Sequence, residues 1–536
     1  MTITDTSVST EHVTAATGAE RPERPEPTGL AAVLGSADHK VIGRLFIGCS
    51  LVFGLAALVL GGLGMAETIG NGGFLPDDTA FQVFTLGQVA GVLMFLLPLM
   101  LGIALVVVPL QVGASTVAFP RAASLSFWGW LVGSALAVAG WAFNGGIAGG
   151  NAEGVELSLL GVVMAIAALL LGAVCIVTTV MTLRTDGMTL ETTPFFSWSM
   201  LMAGTIWVLT LPVLVANLVL VYLDHRNGAV FMGASDEQWP QLQWAFIAPQ
   251  IWVVAIPVLG AIADAVPSLS DERQSMRGTV LVGLGAFSAL SLGMWAQPAM
   301  GGDIFSNGLF VIMALAIVLP LFMLAAAWTT TILRGKASAS SPLVLGFGAL
   351  LVLLLAALAG ALFAIEPLSV QGVLVPGYGL PAGALGVANL VVGASIAGAT
   401  SALFWWAPKI VGRPMPEMVG RVLALVLVGG ALLYGLPIFV AGWQDRFTGL
   451  ADASDLLAGV SVVGAAILLG GVVMVGFALV ASRRGEQVTP DPWGTGQTLE
   501  WMTDSPPERG NFAQVAPVRS AEPLLDGASE NLEEKD

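Results

Sequence analysis

The chain has 536 residues, of which 56% are hydrophobic and only 10% charged, with a mean hydropathy of +0.85. A soluble protein of this size could not hide that much apolar surface, so the composition excludes an ordinary soluble domain and points to a polytopic membrane protein. The net charge of −16 says little about the apolar part, because six of the thirty-six acidic residues lie in 1–38 and eleven in 485–536.

The first 38 residues are polar and contain prolines, with no apolar stretch of the kind a signal peptide needs. A membrane-spanning helix takes about 20 mostly apolar residues. Twelve such stretches follow, at 42–65, 81–112, 126–147, 157–183, 195–222, 242–267, 277–300, 307–333, 342–364, 381–407, 418–441 and 456–482. The chain therefore reads as an N-terminal tail (1–38), a twelve-helix membrane domain (39–482) and a C-terminal tail (483–536). The tails are expected to be solvated, above all the acidic end from Glu530 to Asp536. If both termini are placed in the cytoplasm, the cytoplasmic helix ends and loops carry Lys40, Arg44, Arg121, Arg184, Arg273, Arg277, Arg334, Lys336, Lys409, Arg413, Arg421, Arg483 and Arg484. The external loops then carry only Arg226 and Arg446. That bias predicts cytoplasmic termini and a plasma-membrane location. Glycines recur within the stretches, as in Gly129-Trp130-Leu131-Val132-Gly133, and predict close helix packing. Cys49 and Cys175 suggest neither a disulfide framework nor a CxxC site.

Three regions carry a more specific signal. The first is Asp38-His39-Lys40, followed by Val108-Pro109-Leu110-Gln111-Val112-Gly113-Ala114 and Val117-Ala118-Phe119-Pro120-Arg121. The second is Trp406-Ala407-Pro408-Lys409-Ile410-Val411-Gly412-Arg413. The third is Asp491-Pro492-Trp493-Gly494, then Thr498-Leu499-Glu500-Trp501, Ser505-Pro506-Pro507 and Asn511-Phe512. In this order and spacing, from about residue 38 to about 523, the chain resembles subunit I of the haem–copper cytochrome c oxidases of the bacterial aa3 type. The resemblance implies an all-α integral membrane protein with the twelve-transmembrane-helix bundle of that subunit.

It also implies two haems and one copper ion held by six histidines, and the flanking residues fix where those should lie. Only His12, His39 and His225 occur in the chain, all outside the apolar stretches. Twenty-two residues before Pro109, where the family has the low-spin haem histidine of F-T-M-H-G, the chain has Gly87. The family's W-F-F-G-H-P-E-V-Y reads Trp244 to Trp252: the copper histidine is Ala248, the proton-passing Glu is Gln250 and the cross-linked Tyr is Trp252. The family's W-A-H-H is Trp295-Ala296-Gln297-Pro298, which replaces two more copper ligands. Its H-F-H-Y becomes Gly386-Val387-Ala388-Asn389, replacing the active-site haem ligand with Gly386 and the second low-spin ligand with Ala388. The lysine of the second proton path maps to Leu324, the external His-Asp pair to Tyr378 and Gly379, and the paired propionate arginines to Asp445 and Arg446.

Haem iron needs His, Met, Cys or Tyr at its axial positions, and copper in such a site needs imidazole. Gly and Ala offer no donor, and Pro298 has none in its side chain. Loss of all six ligands, with the Glu, the Tyr and the Lys, predicts that no haem or copper is bound. An unliganded ionisable group at the bilayer centre costs roughly 2.5–3.5 kcal/mol, which favours exchanges such as Gln250 and Leu324 once the metals are gone. The leading expectation is a redox-inactive member of the family acting as a scaffold, assembly or regulatory subunit beside subunit II- or III-like partners, with no nucleic-acid partner. One alternative is the family's own activity as an oxidase in aerobic electron transport. A third is the binding or transport of an apolar ligand, a quinone or lipid, in the emptied cavity. Gln88, Gln250, Gln297 and Asn389 are expected either to serve that third role or to hydrogen-bond between closed helices.

Overall fold

The structure is a computed structural model that describes residues 29–70, 73–146, 149–228, 238–293, 307–364, 382–443, 453–484, 488–512, 514–515 and 517–526. The chain divides between Ser36 and Ala37 into two units. In the first, the described residues form one short helix, α1 (Leu30–Leu34). The second is helical, and its helices follow the predicted apolar stretches. They are α2 (His39–Glu67), α3 (Asp77–Val89), a π-helical turn (Ala90–Leu96), α4 (Leu97–Gln111), α5 (Pro120–Ala142), α6 (Ala152–Thr182), α7 (Phe195–Asn227) and α8 (Gln238–Leu269). Then come α9 (Arg277–Gly293), α10 (Asn307–Ala316), α11 (Val318–Arg334), α12 (Ser341–Ala364), α13 (Ala382–Val411), α14 (Glu417–Ala441) and α15 (Ser454–Ser482).

Two predicted spans are each built from more than one segment. Residues Thr79–Gln111 run through α3, the π turn and α4, and Val311–Arg334 through α10 and α11. Among the described residues, eleven helices are long and apolar enough to cross a membrane. The twelfth predicted stretch, 277–300, is seen as the shorter apolar helix α9, and residues 294–300 lie outside the described ones.

Burial separates two layers. The apolar windows of Thr79–Gln111, Gln250–Leu269 and Ala382–Val411 are 94%, 100% and 89% buried, so α4, α8 and α13 form the centre. Those of α2, α5, α7 and α15 are between 33% and 39% buried and surround them. The outer faces stay apolar, with Leu333 and Leu425 almost fully exposed, as a surface facing lipid requires.

Close approach is set by small residues. A Cβ on Gly133 of α5 would lie 2.6 Å from the Ala165 nitrogen and 2.8 Å from the Gly161 carbonyl of α6. One on Gly43 of α2 would lie 2.6 Å from Val106 Cγ2 of α4. At these two glycines the helix backbones come into close contact. In the π turn the i→i+5 pattern loosens the backbone ladder, and the Trp130 indole of α5 donates to the Leu93 carbonyl there at 3.0 Å.

Pro109 explains one polar contact. Proline has no N–H to give the carbonyl four residues earlier, and the freed Leu105 oxygen is taken by His39 Nδ1 at 2.6 Å. Since Nδ1 donates, Nε2 of a neutral ring is the acceptor. The Asn511 amide lies 3.1 Å from it and also donates to the Ala114 carbonyl at 2.9 Å, while its oxygen accepts from Lys40 Nζ at 2.9 Å. The Asp-His-Lys, Val-Pro-Leu-Gln and Asn-Phe motifs thus form one joint, although Asn511 lies far along the chain from the other two.

That joint belongs to a folded tail. The sequence led to the expectation of a solvated segment after residue 482, but Leu499, Glu500 and Trp501 of a 3-10 turn (Leu499–Met502) are buried against the bundle. The acidic end 527–536 lies outside the described residues. The difference comes from two tryptophans: Trp493 stacks on Trp405 of α13 at 5.2 Å between centroids, and Trp501 meets the same ring edge-on at 4.9 Å. Such aromatic pairs add to plain burial and can hold an otherwise polar segment down.

Candidate functional site

The predicted ligand positions fall into two groups. Gly87 and Ala388 come together on the wall of one cavity of about 60 Å³, with Gly61, Gln88, Gly91, Phe95, Asn389 and Tyr434. Gly386 is turned away from it. A Cβ there would press on the Phe439 nitrogen of α14 and lie 2.6 Å from its Cα. The backbone of Ala248 lies in α8, but its side chain, and all of Gln297, Pro298, Tyr378, Gly379, Asp445 and Arg446, fall outside the described residues.

The proton-path positions are filled by packing. Trp252 is buried beside Phe287 at 6.2 Å between centroids. Leu324 is fully buried and sits against Gly283 of α9, where a Cβ would lie 3.1 Å from its Cδ2. Gln250 is buried and donates to Thr210 Oγ1 of α7 at 3.2 Å. This is a hydrogen bond between helices of the kind expected for Gln250, while Asn389 Nδ2 has no protein partner.

These walls do not fit a haem. A Cβ on Gly87 would already lie 3.2 Å from Leu60 Cβ and 3.3 Å from the Gly61 nitrogen, and one on Gly61 would lie 2.7 Å from the Tyr434 hydroxyl. Helix α2 thus closes on the Gly87 wall and meets α14 through Gly61 and Tyr434. The remaining 60 Å³ is small beside the roughly 300–1,000 Å³ of ordinary ligand pockets. Among the described residues, no group of three or more His, Cys, Asp or Glu side chains could hold a metal ion.

At the end of the bundle where Lys40, Gln111, Arg277 and Lys409 lie, a polar cluster is assembled instead. The Gln111 amide donates to Asp264 Oδ2 of α8 at 2.8 Å and to Glu500 Oε1 of the tail at 3.1 Å. Its oxygen accepts from the Ser197 nitrogen at 3.1 Å and the Ser197 hydroxyl at 2.6 Å. Asp264 also accepts from the Phe195 and Phe196 nitrogens at 2.8 and 3.0 Å, which caps the start of α7. Trp406 Nε1 donates to Glu500 Oε1 at 3.2 Å. Burial pushes the Glu500 carboxyl above its ordinary range, and the hydrogen bonds from Gln111 and Trp406 only partly oppose this.

Beside it the fully buried Lys409 ammonium donates to the carbonyls of Pro490, at 2.9 Å, and Thr503, and to the Ser505 hydroxyl at 3.3 Å. Four of these groups, Gln111, Lys409, Glu500 and Asn511, stood inside the motifs that carry the family resemblance, but their sequence showed no reason to meet. Asp264 is outside those motifs. A lone carboxylate in an apolar run was the signal that could have flagged it.

The fold and these motifs define an oxidase-type, multi-pass membrane bundle. The family described as cytochrome c and quinol oxidase polypeptide I matches residues 41–472, and the chain belongs to that family. A putative cytochrome c oxidase subunit 1-beta of Streptomyces coelicolor is 32% identical, covering 95% of this chain and 92% of that one. A probable subunit 1-beta of Nocardia farcinica is 30% identical over 70% of this chain, which spans 64% of that protein's length. Cytochrome c oxidase subunit 1 of Corynebacterium diphtheriae is 29% identical over 94% of each chain. A cryo-EM structure of a haem–copper terminal oxidase dimer shares the fold, with a TM-score of 0.61 at 14% identity, covering 92% of this chain and 89% of that one.

Proposed function

We propose that the chain is a redox-inactive member of this family that binds neither haem nor copper. Its role is that of a scaffold, assembly or regulatory subunit working beside subunit II- or III-like partners of a respiratory complex in the plasma membrane. The observation that carries this is Gly386: at the position of the active-site haem ligand there is no donor atom, and the α14 backbone stands where a side chain would go. The helix-end motifs and the folded tail they hold are kept while the ligand positions are rewritten, which supports a structural role. The 60 Å³ left beside Gly87 and Ala388 weighs against a quinone or lipid filling a haem-sized space.

The test is an absorption spectrum and metal analysis of purified protein. The expected result is no Soret band and less than about one equivalent of copper, given the ligands these metals need. A stoichiometric haem spectrum that survives detergent washing would sink the reading.

Cytoplasmic placement of both termini is part of the same proposal, supported by the bias of basic residues toward one set of loops. A tag on the C-terminus should be reached by an impermeant probe only after the cytoplasmic face is opened. Labelling from the outer face of intact cells would refute that placement.

A further inference from the structure

At the basic end, away from the emptied ligand positions, two buried carboxyls face one amide. Gln111 Nε2 holds Asp264 Oδ2 at 2.8 Å with one proton and Glu500 Oε1 at 3.1 Å with the other. Glu500 is fully buried. Two carboxylates this close in a dry site cannot both ionise without a large penalty.

The hydrogen bonds say which one keeps a proton. Asp264 accepts three, two of them from backbone N–H groups at the start of α7, where a helix favours negative charge. On Glu500, Gln111 and Trp406 both donate to Oε1, and the Thr498 hydroxyl and the Glu500 backbone N–H add support to the charged form that does not offset burial. Its Oε2 is buried and has no protein partner. An oxygen without donors is a poor place for negative charge and a ready place for a proton.

The charged neighbours on the surrounding elements do not undo this. Lys409 of α13 lies over the Trp501 ring at 5.3 Å, and its protons go to Pro490, Thr503 and Ser505. That ammonium is attracted first by Glu500 and then by Asp491 and Asp504, but burial outweighs this pull and still holds the Glu500 carboxyl above its ordinary range. Arg277 of α9 donates to the carbonyls of Glu191, at 2.9 Å, and Thr193, at 2.6 Å, and reaches Glu522 at 4.0 Å. Its attraction acts on Asp264 and so favours the same carboxyl for the negative charge.

We propose that Glu500 is a buried proton-binding site: it carries a proton while the tail is docked, and loss of that proton to solvent releases the tail from the bundle. Such a site works whether or not the chain binds a cofactor. A carboxyl that is harder to ionise when docked than when free favours docking at low pH. That contribution is complete below the free carboxyl's range and falls away as pH rises through the docked value, by about tenfold per pH unit.

The test uses the full-length protein in lipid nanodiscs. Hydrogen–deuterium exchange of residues 488–512, corrected for intrinsic rates, is followed from about pH 6 to about pH 9. Wild-type exchange should accelerate by about tenfold per pH unit once ionisation begins. Glu500→Gln keeps the acceptor for Gln111 and Trp406 but cannot ionise, so its tail should stay protected throughout. Infrared spectra give a second reading: a protonated-carboxyl band in the wild type at low pH that is missing from Glu500→Gln. Tail protection in the wild type that does not change with pH would overturn the proposal. So would a carboxyl band that survives in Glu500→Gln, since the proton would then sit on Asp264. If that variant does not assemble, the wild-type titration still decides, because it needs no substitution.

Discussion

Changing Gly386 to His is expected to give a protein with no haem spectrum and a stability lowered by about 3 kcal/mol, the top of the usual cost of overpacking. The site is the family position of the active-site haem ligand, so a simple view would hold that the imidazole restores a lost function. The geometry predicts the opposite. The first atom of the new side chain would meet Phe439 Cα at 2.6 Å, and Gly435 on the same helix closes on the Gly386 carbonyl in turn, its own Cβ position lying 2.8 Å from that oxygen. The obstructing atoms are backbone, so no rotamer change relieves the clash and α14 must move as a whole. Reconstitution with haem followed by spectroscopy, with a thermal melt in the same detergent, checks both halves. A Soret band in the variant together with an unchanged melting temperature would show that α14 yields freely at this point.

Replacing Lys409 with Met should detach the tail. The substitution keeps the long apolar stem and removes the ammonium, leaving the Thr503 carbonyl buried without its donor, while the Pro490 carbonyl keeps the Ser505 hydroxyl at 3.2 Å. Each orphaned group costs about 1–3 kcal/mol. The one left here amounts to at least about 5-fold in the docking equilibrium. The tail can avoid the penalty by lifting off, so limited trypsin digestion is the sensitive measure: cleavage after Arg509 and Arg519 should speed up by that factor. Arg at the same position should not rescue docking, because a planar guanidinium does not fit a cage shaped for a compact ammonium. Equal cleavage rates in wild type and Lys409→Met would mean that the tryptophan stack alone holds the tail.

The sequence was most informative where a single physical effect outweighs the others. Hydropathy reads the cost of exposing polar groups to lipid, and each predicted stretch corresponds to a helix, with α9 seen only to Gly293. The glycines named the contacts through which α5 meets α6 and α13 meets α14, because only small residues allow backbones to touch. Gly87 and Ala388, singled out from their flanking residues, meet on one cavity wall. What stayed hidden are contacts between polar residues far apart in the chain. Glu500 lies 389 residues from Gln111 and Asn511 lies 472 from His39. No local periodicity links them, and an acidic, proline-containing tail looks solvated until its tryptophans find Trp405. Gln250 does hydrogen-bond between helices, but its partner, Thr210 of α7, was not legible, because hydropathy does not say toward which neighbour a polar side chain turns.

The π-helical turn at Ala90–Leu96 has a consequence for what changes the chain can absorb. It joins Gly87, which faces α2, to Gln111, which faces α8 and the tail. One residue more or fewer in a regular helix turns everything beyond it by about 100°. A π turn takes up one extra residue locally, so removing a single residue from it would heal the helix and leave Gln111 facing Asp264 and Glu500, whereas the same deletion in the regular part of α4 would swing Gln111 away from both, even with every side chain at the contact intact. Between the turn and Gln111 the length of the chain fixes the contact, and a scan that only exchanges one side chain for another would pass over it.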